Sequence, residues 1–155
     1  MKAILKTCAL GAAAVLLSTG VQATEEIDNN IEYRQDVLGV MAWQVDTLGA
    51  MAQGDVDYDA EVFKLRADNL AALAHMPWEG FVEGSLRGGD HSVDTGALAK
   101  IADNMDDFTA KGDDLVAETA TLAELAGGDD FTAMRRQVAK VGQTCKGCHD
   151  EYRAE

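Results

Sequence analysis

Proline is almost missing from this chain: Pro77 stands alone among 155 residues. With no second residue to fix φ and remove a backbone donor, long helical runs meet no interior breaker. Alternation of β-branched with polar residues is also absent, which argues against strands and leaves helices to build the core. Cysteine is scarce, with Cys8, Cys145 and Cys148 alone, so no disulfide framework organises the fold. The histidines are His75, His91 and His149, and no second paired spacing accompanies the cysteines, which argues against a four-ligand structural zinc site. Basic residues number 13 against 27 acidic, a net charge of −14 that repels nucleic acid and anionic membranes. The apolar stretch at 9–17 is too short to cross a bilayer, so no membrane anchor is expected.

What the first residues do have is the layout of an export leader. Lys2 and Lys6 precede that apolar stretch, and Val21-Gln22-Ala23 puts small residues where a signal peptidase cuts. The plain alternative, a buried N-terminal helix, fits poorly with the flanking charges and the abrupt change to Glu25-Glu26. Cys8 lacks an adequate apolar region before it, so a lipoprotein anchor is not expected either. Cleavage after Ala23 makes 1–23 a secretory signal peptide and 24–155 a single domain of 132 residues, 155 less 23. Loss of two lysines leaves 11 basic against 27 acidic residues, a net charge of −16. The expected location is the periplasm. Such a surface steers toward a basic redox partner, although solubility alone is the simpler use of the charge.

Helical periodicity fills the rest. Over 27–53, Ile31, Arg34, Leu38, Met41, Val45, Leu48 and Ala52 step by three and four, a seam with one charged interruption. A shorter helix is expected over 59–74, with Phe63, Leu70 and Leu73 on one side. A third follows Asp94 as N-cap, carrying Leu98, Ile101, Met105, Phe108, Leu115 and Leu122 up to Gly127-Gly128, with Gly112 a place for a kink or break. The fourth opens at Asp129 or Asp130 and aligns Phe131, Met134, Val138, Val141, Cys145, Cys148 and Tyr152. Short links at 54–58 and 127–129 and one longer connection at 75–94 describe an all-α, antiparallel up-down-up-down four-helix bundle. A second apolar strip on the first helix, Val37, Val40, Trp43 and Met51, suggests a homodimer contact between first helices; a broader core face is the alternative.

The chemistry lies in the run Cys145-Lys146-Gly147-Cys148-His149. On a helix, positions i, i+3 and i+4 share a face, so both sulfurs reach the two vinyl groups on one porphyrin edge, and the imidazole lies under the iron. The expectation is covalently attached haem c, one per chain, with His149 as proximal axial ligand. A redox dithiol is the competing use of two cysteines at this spacing, but it favours a helix N-terminus in a βαβ setting. Both cysteines continue the apolar seam, which puts the haem inside the bundle. Arg34 interrupts that seam and needs a partner, for which a haem propionate is suited; otherwise it reaches out to solvent. Trp78 and Phe81 are expected either to cap the haem edge or to serve as core aromatics.

Several stretches beyond that run carry a resemblance: Tyr33-Arg34-Gln35 with Leu38 and Met41, Leu73 through Pro77-Trp78 and Phe81, and Cys145 to Arg153. Over nearly the whole mature length the chain resembles the class II c-type cytochromes, and within them the cytochrome c′ family. The resemblance implies that Leu38 faces the distal side of the iron, which is then five-coordinate and high-spin. It also implies that Arg153 borders His149, a cation favourably placed at a helix C-terminus being the alternative, and Tyr152, which follows the same run, is expected in the haem vicinity. A leucine offers no lone pair, so the distal pocket is apolar and favours uncharged diatomics, NO and CO, over water and anions. The implied role is gas binding, as in NO sequestration or protection, with electron transfer besides. The alternative is a six-coordinate, low-spin electron carrier with Met41 as sixth ligand. No distal His and Arg pair stands in a suitable register, so no catalytic residue is assigned and the protein is not expected to be an enzyme.

Overall fold

The computed structural model describes residues 14–154, with side chains from residue 23 onward. Most of the expected leader therefore lies outside the described residues. Four helices follow in order: α1 (Ala14–Gln53), α2 (Ala60–Leu73), α3 (Met105–Leu125) and α4 (Phe131–Tyr152). The main packing contacts run round a ring, α1 on α2, α2 on α3, α3 on α4 and α4 on α1, as in an up-down-up-down bundle. Among the described residues there is no strand, only an isolated antiparallel bridge between Ala97 and Arg153. No described helix is long and apolar enough to cross a membrane.

Local chemistry explains the helix ends. α1 stops at Gly54, whose N–H and that of Asp55 both close on the carbonyl of Ala50 at 3.1 and 2.9 Å. Asp59 caps α2 by accepting from the N–H groups of Glu61 and Val62, each at 3.0 Å. Asp130 caps α4 through the Ala133 N–H at 2.9 Å. The core inside them is built from Ile31, Met41, Leu48, Phe63, Leu70, Leu115, Leu122, Met134 and Val141, all buried. Each large apolar side chain removed from water contributes about 1.5–3 kcal/mol.

The structure revises three expectations. The third helix begins at Met105, not after Asp94, because the preceding segment is held elsewhere. Leu98 has extended backbone and donates its N–H to the Tyr152 carbonyl at 2.9 Å, and only a 3-10 turn, Ala99–Ile101, separates it from Asn104. Met105, assigned to the seam, is 44% exposed. Gly112 causes no break in α3. A Cβ there would lie 3.1–3.3 Å from the Trp78 ring, so the glycine lets the indole lie against the helix backbone. The second strip of α1 also divides: Val37 and Met51 are buried core, whereas Val40 is 49% and Trp43 56% exposed. The helix curls its apolar surface further round the core than a single seam requires.

Candidate haem site

The last two turns of α4 carry Cys145, Cys148 and His149. Both cysteines are half-buried and free, with no disulfide between them. Cys145 packs against the main core together with Leu38 and Trp78, while Cys148 packs against a second cluster made of Ile101, Phe108 and Tyr152. Burial pushes both thiols above the ordinary range, Cys148 with a smaller opposing pull from Lys111. His149 lies toward solvent, and among the described residues no group hydrogen-bonds its ring. Partial burial holds its imidazole below the usual value, with the charge of Arg153 adding to the shift. Two free thiols one turn apart and an unpartnered imidazole on the next residue fit a covalently held haem. They do not fit the competing zinc site, since no described group of three or more His, Cys, Asp or Glu side chains could hold a metal ion.

An aromatic wall stands beside the thiols. Trp78 stacks on Phe81 at 6.2 Å, Phe81 meets Phe108 at 4.7 Å, and Phe108 meets Tyr152 edge-on at 5.4 Å. Trp78 donates its indole N–H to the Ala74 carbonyl at 2.7 Å, which fixes the ring while its face stays apolar. Trp78 and Phe81, predicted as haem-edge or core aromatics, thus pack against the same cluster as Cys148. Leu38 is half-buried on α1, in the same apolar group as Cys145. Met41, one turn on, is buried to 4% exposure in that core.

Arg34 behaves differently from expectation. It is 2% exposed, and its terminal nitrogens donate to the Gly80 carbonyl (2.8 Å), the Ser85 hydroxyl (2.7 Å), the Ser85 carbonyl (2.6 Å) and the Thr95 hydroxyl (2.9 Å). Its guanidinium also lies 4.3 Å over the Phe81 ring. The partner that sequence reasoning sought in a propionate is supplied by the 80–95 connection. Four terminal N–H groups are already committed, leaving no free pair for a bidentate clamp. Burial lowers the guanidinium to about 10, so it stays charged at neutral pH with only neutral oxygens around it. Gly80 makes this possible, because a Cβ there would lie 2.7 Å from the Asn30 carbonyl and 2.8 Å from Arg34 Cβ.

The same connection is sewn to the end of α4. Arg87 donates its N–H to Ala97, and Ala154 donates to Gly96, both at 2.8 Å. Arg34 therefore links α1, through one ordered loop, to the turn that carries His149. Sequence reasoning missed the partners of Tyr152: its hydroxyl donates to Asp107 at 2.6 Å, and Asp107 faces Lys111 at 3.6 Å. That hydrogen bond raises Tyr152 to about 12 and lowers Asp107. The one available signal was the i, i+4 spacing of Asp107 and Lys111 on α3. Arg153 is exposed at the end of α4, where its N–H closes on the His149 carbonyl at 3.1 Å.

A four-helix bundle with two thiols and an imidazole on its last helix, next to an aromatic wall, defines the class of haem c helical bundles. Comparison with known proteins narrows it. The Cytochrome C' family model matches residues 29–153. Cytochrome c' of Halomonas halodenitrificans is 54% identical over 84% of this chain and 99% of its own. The solved cytochrome c prime of Shewanella frigidimarina superposes with a TM-score of 0.77 at 41% identity, over 84% of this chain and 98% of that one. A nitric oxide complex of a mutant cytochrome c prime from Alcaligenes xylosoxidans matches at a TM-score of 0.74 and 26% identity, over 83% of this chain and 96% of that one. The chain belongs to the cytochrome c′ family, and its cofactor is covalently attached haem c.

Proposed function

We propose that the protein is a periplasmic, high-spin, five-coordinate haem c protein that binds NO and CO. Cys145 and Cys148 form the thioethers, and His149 is the proximal ligand. Bound haem supplies an iron with one axial position to offer a gas; everything else is done by the chain. Leu38 carries the proposal, because it is half-buried against the same core cluster as Cys145 and has no lone pair to donate. An apolar side chain there excludes water and anions, which gain nothing from a site without hydrogen-bond donors. Uncharged diatomics enter when it moves aside. Met41 stands one turn away with its thioether buried in the core, which is the position a sixth ligand would have to leave.

The remaining assignments extend the same reading. Trp78 and Phe81 border the porphyrin edge, and Tyr152 and Arg153 frame the proximal side. Arg34 gives the loop its shape and presents an unneutralised buried charge that attracts the propionates at longer range. The role is binding, with no catalytic residue, and NO sequestration or protection is the use we assign to it. Export through residues 1–23 places it in the periplasm. Trp43 and Val40, exposed on α1, are the contact through which two copies would pair.

The decisive experiment is an absorption spectrum of the reduced holoprotein before and after CO or NO. A broad high-spin spectrum that changes sharply with gas is expected. Sharp low-spin bands in the absence of gas would overturn the reading and make Met41 the sixth ligand of an electron carrier.

A further inference from the structure

The charge of this protein is not spread evenly over its helices. α3 carries Asp106, Asp107, Asp113, Asp114, Glu118 and Glu124 with Lys111 as its only base. From Phe131 to His149, α4 has no acidic residue and carries Arg135, Arg136, Lys140 and Lys146. In a chain with twice as many acids as bases, the helix that bears the haem attachment run is the cationic one. All four side chains are exposed on its outer face. Lys146 pairs with Asp150 one turn away. Arg135, Arg136 and Lys140 make no ion pair or hydrogen bond among the described residues.

Two grooves flank this face. One, of about 430 Å³, has Cys148 in its lining with Lys111, Lys140, Gln143 and Thr144, and with Asp114 and Glu118 on the α3 side. Glu118 is already engaged by Gln137. The other, of about 760 Å³, lies between α1 and α4, where Arg135 and Arg136 look across at Asp46 and Asp55 without reaching them. The cations thus stand free along the helix whose sulfur joins the cofactor. A partner bound there lies against the helix to which the cofactor is attached.

We propose that the outer face of α4 is the docking surface for an acidic electron-exchange protein, one that presents a cluster of carboxylates to Arg135, Arg136 and Lys140. Overall net charge argues for a basic partner, but docking is decided by the local field over the contacting patch. At physiological ionic strength the field of the distant acidic faces is screened within about 8 Å, so the patch beneath the partner dominates.

The test uses the holoprotein, a redox-inert polyanion and an anionic oxidant. Poly-L-glutamate should shift the amide resonances of residues 132–147 in preference to those of α1 and α2. Oxidation by hexacyanoferrate(III) moves one electron from ferrous haem to the reagent, leaving ferric haem and hexacyanoferrate(II). In a variant carrying Arg135→Glu, Arg136→Glu and Lys140→Glu this oxidation should slow about fivefold at about 0.05 M ionic strength and recover at about 1 M. A control with the same net charge, Lys64→Glu, Arg66→Glu and Arg87→Glu, should remain within about twofold of the parent, because none of these side chains contacts α4. Poly-L-glutamate should slow the parent and the control but not the α4 variant. Equal slowing in both variants, or amide shifts that avoid α4, would overturn the proposal and leave net charge in command. The gas-binding spectrum is independent of these outcomes, so either reading can fail alone.

Discussion

α4 and α1, which both pack into the main core, bring unequal chemistry to the candidate site. α4 puts three chemically active groups within five residues, two thiols and an imidazole, and turns the imidazole outward. α1 brings Leu38 and Met41, side chains without a proton to give, to the same apolar cluster. Its one charged inward residue, Arg34, spends its terminal donors on the 80–95 connection. On the proposed reading, one wall holds and the other excludes. A haem fixed on one side by covalent bonds needs nothing from the opposite helix except shape, so α1 is free to be apolar where it faces the site.

Removing the holding wall is the severest way to break that contrast. Cys145→Ser with Cys148→Ser should abolish covalent haem, leaving none on the polypeptide after acid–organic extraction, whereas either single change should leave haem bound through the remaining sulfur. Haem retained by the double variant would show that attachment lies elsewhere. Next in size is Arg34→Met. It leaves four buried oxygens without their donors and should cost about 3 kcal/mol in denaturant unfolding, since hydrogen bonds to a charged group are worth about 1.5–3 kcal/mol each and part of the loss relaxes. A cost below about 1 kcal/mol would mean that the loop keeps its shape unaided.

Two smaller effects sharpen the comparison further. Leu38→Ala should speed CO binding about tenfold, equivalent to about 1.4 kcal/mol off the barrier, by removing the obstacle that α1 supplies. An unchanged rate in stopped flow would assign access to another residue. The smallest concerns the hydrogen bond between Tyr152 and Asp107. Tyr152 is raised above its ordinary value of 10.0 to about 12, so its contribution to stability is complete below about pH 10 and is lost as pH rises toward 12. Asp107 is lowered from 3.8, so its contribution is present above that value and fades as pH falls through the depressed one. Tyr152→Phe should therefore flatten both limbs of the melting-temperature profile relative to the parent. Parallel profiles would show that the bond carries no pH-dependent stability.

Much of this was legible before any coordinates. The seam residues Ile31, Leu48, Phe63, Leu70, Leu122, Met134 and Val141 repeat with helical spacing and are buried, because burial of one helix face is the strongest periodic constraint a sequence carries. The expected haem residues rest on a motif in which covalent chemistry fixes both residue type and spacing, and Cys145, Cys148 and His149 do share one helix as that motif requires. The start of α3 was not legible. Leu98 and Ile101 keep the apolar rhythm of a helix, yet the backbone there is claimed by hydrogen bonds to the end of α4, more than fifty residues away. Nor could periodicity find the partners of Arg34, because Gly80, Ser85 and Thr95 lie in a connection without a repeat.

By itself the sequence determined the class of fold, the cofactor and the helix that holds it, because these depend on local spacing along one chain segment. The tertiary structure alone decided where Arg34 spends its hydrogen bonds, why Gly112 is tolerated inside a helix, and which residues hold Tyr152. Each of those depends on which distant backbone comes close, and a contact between segments leaves no period in either of them.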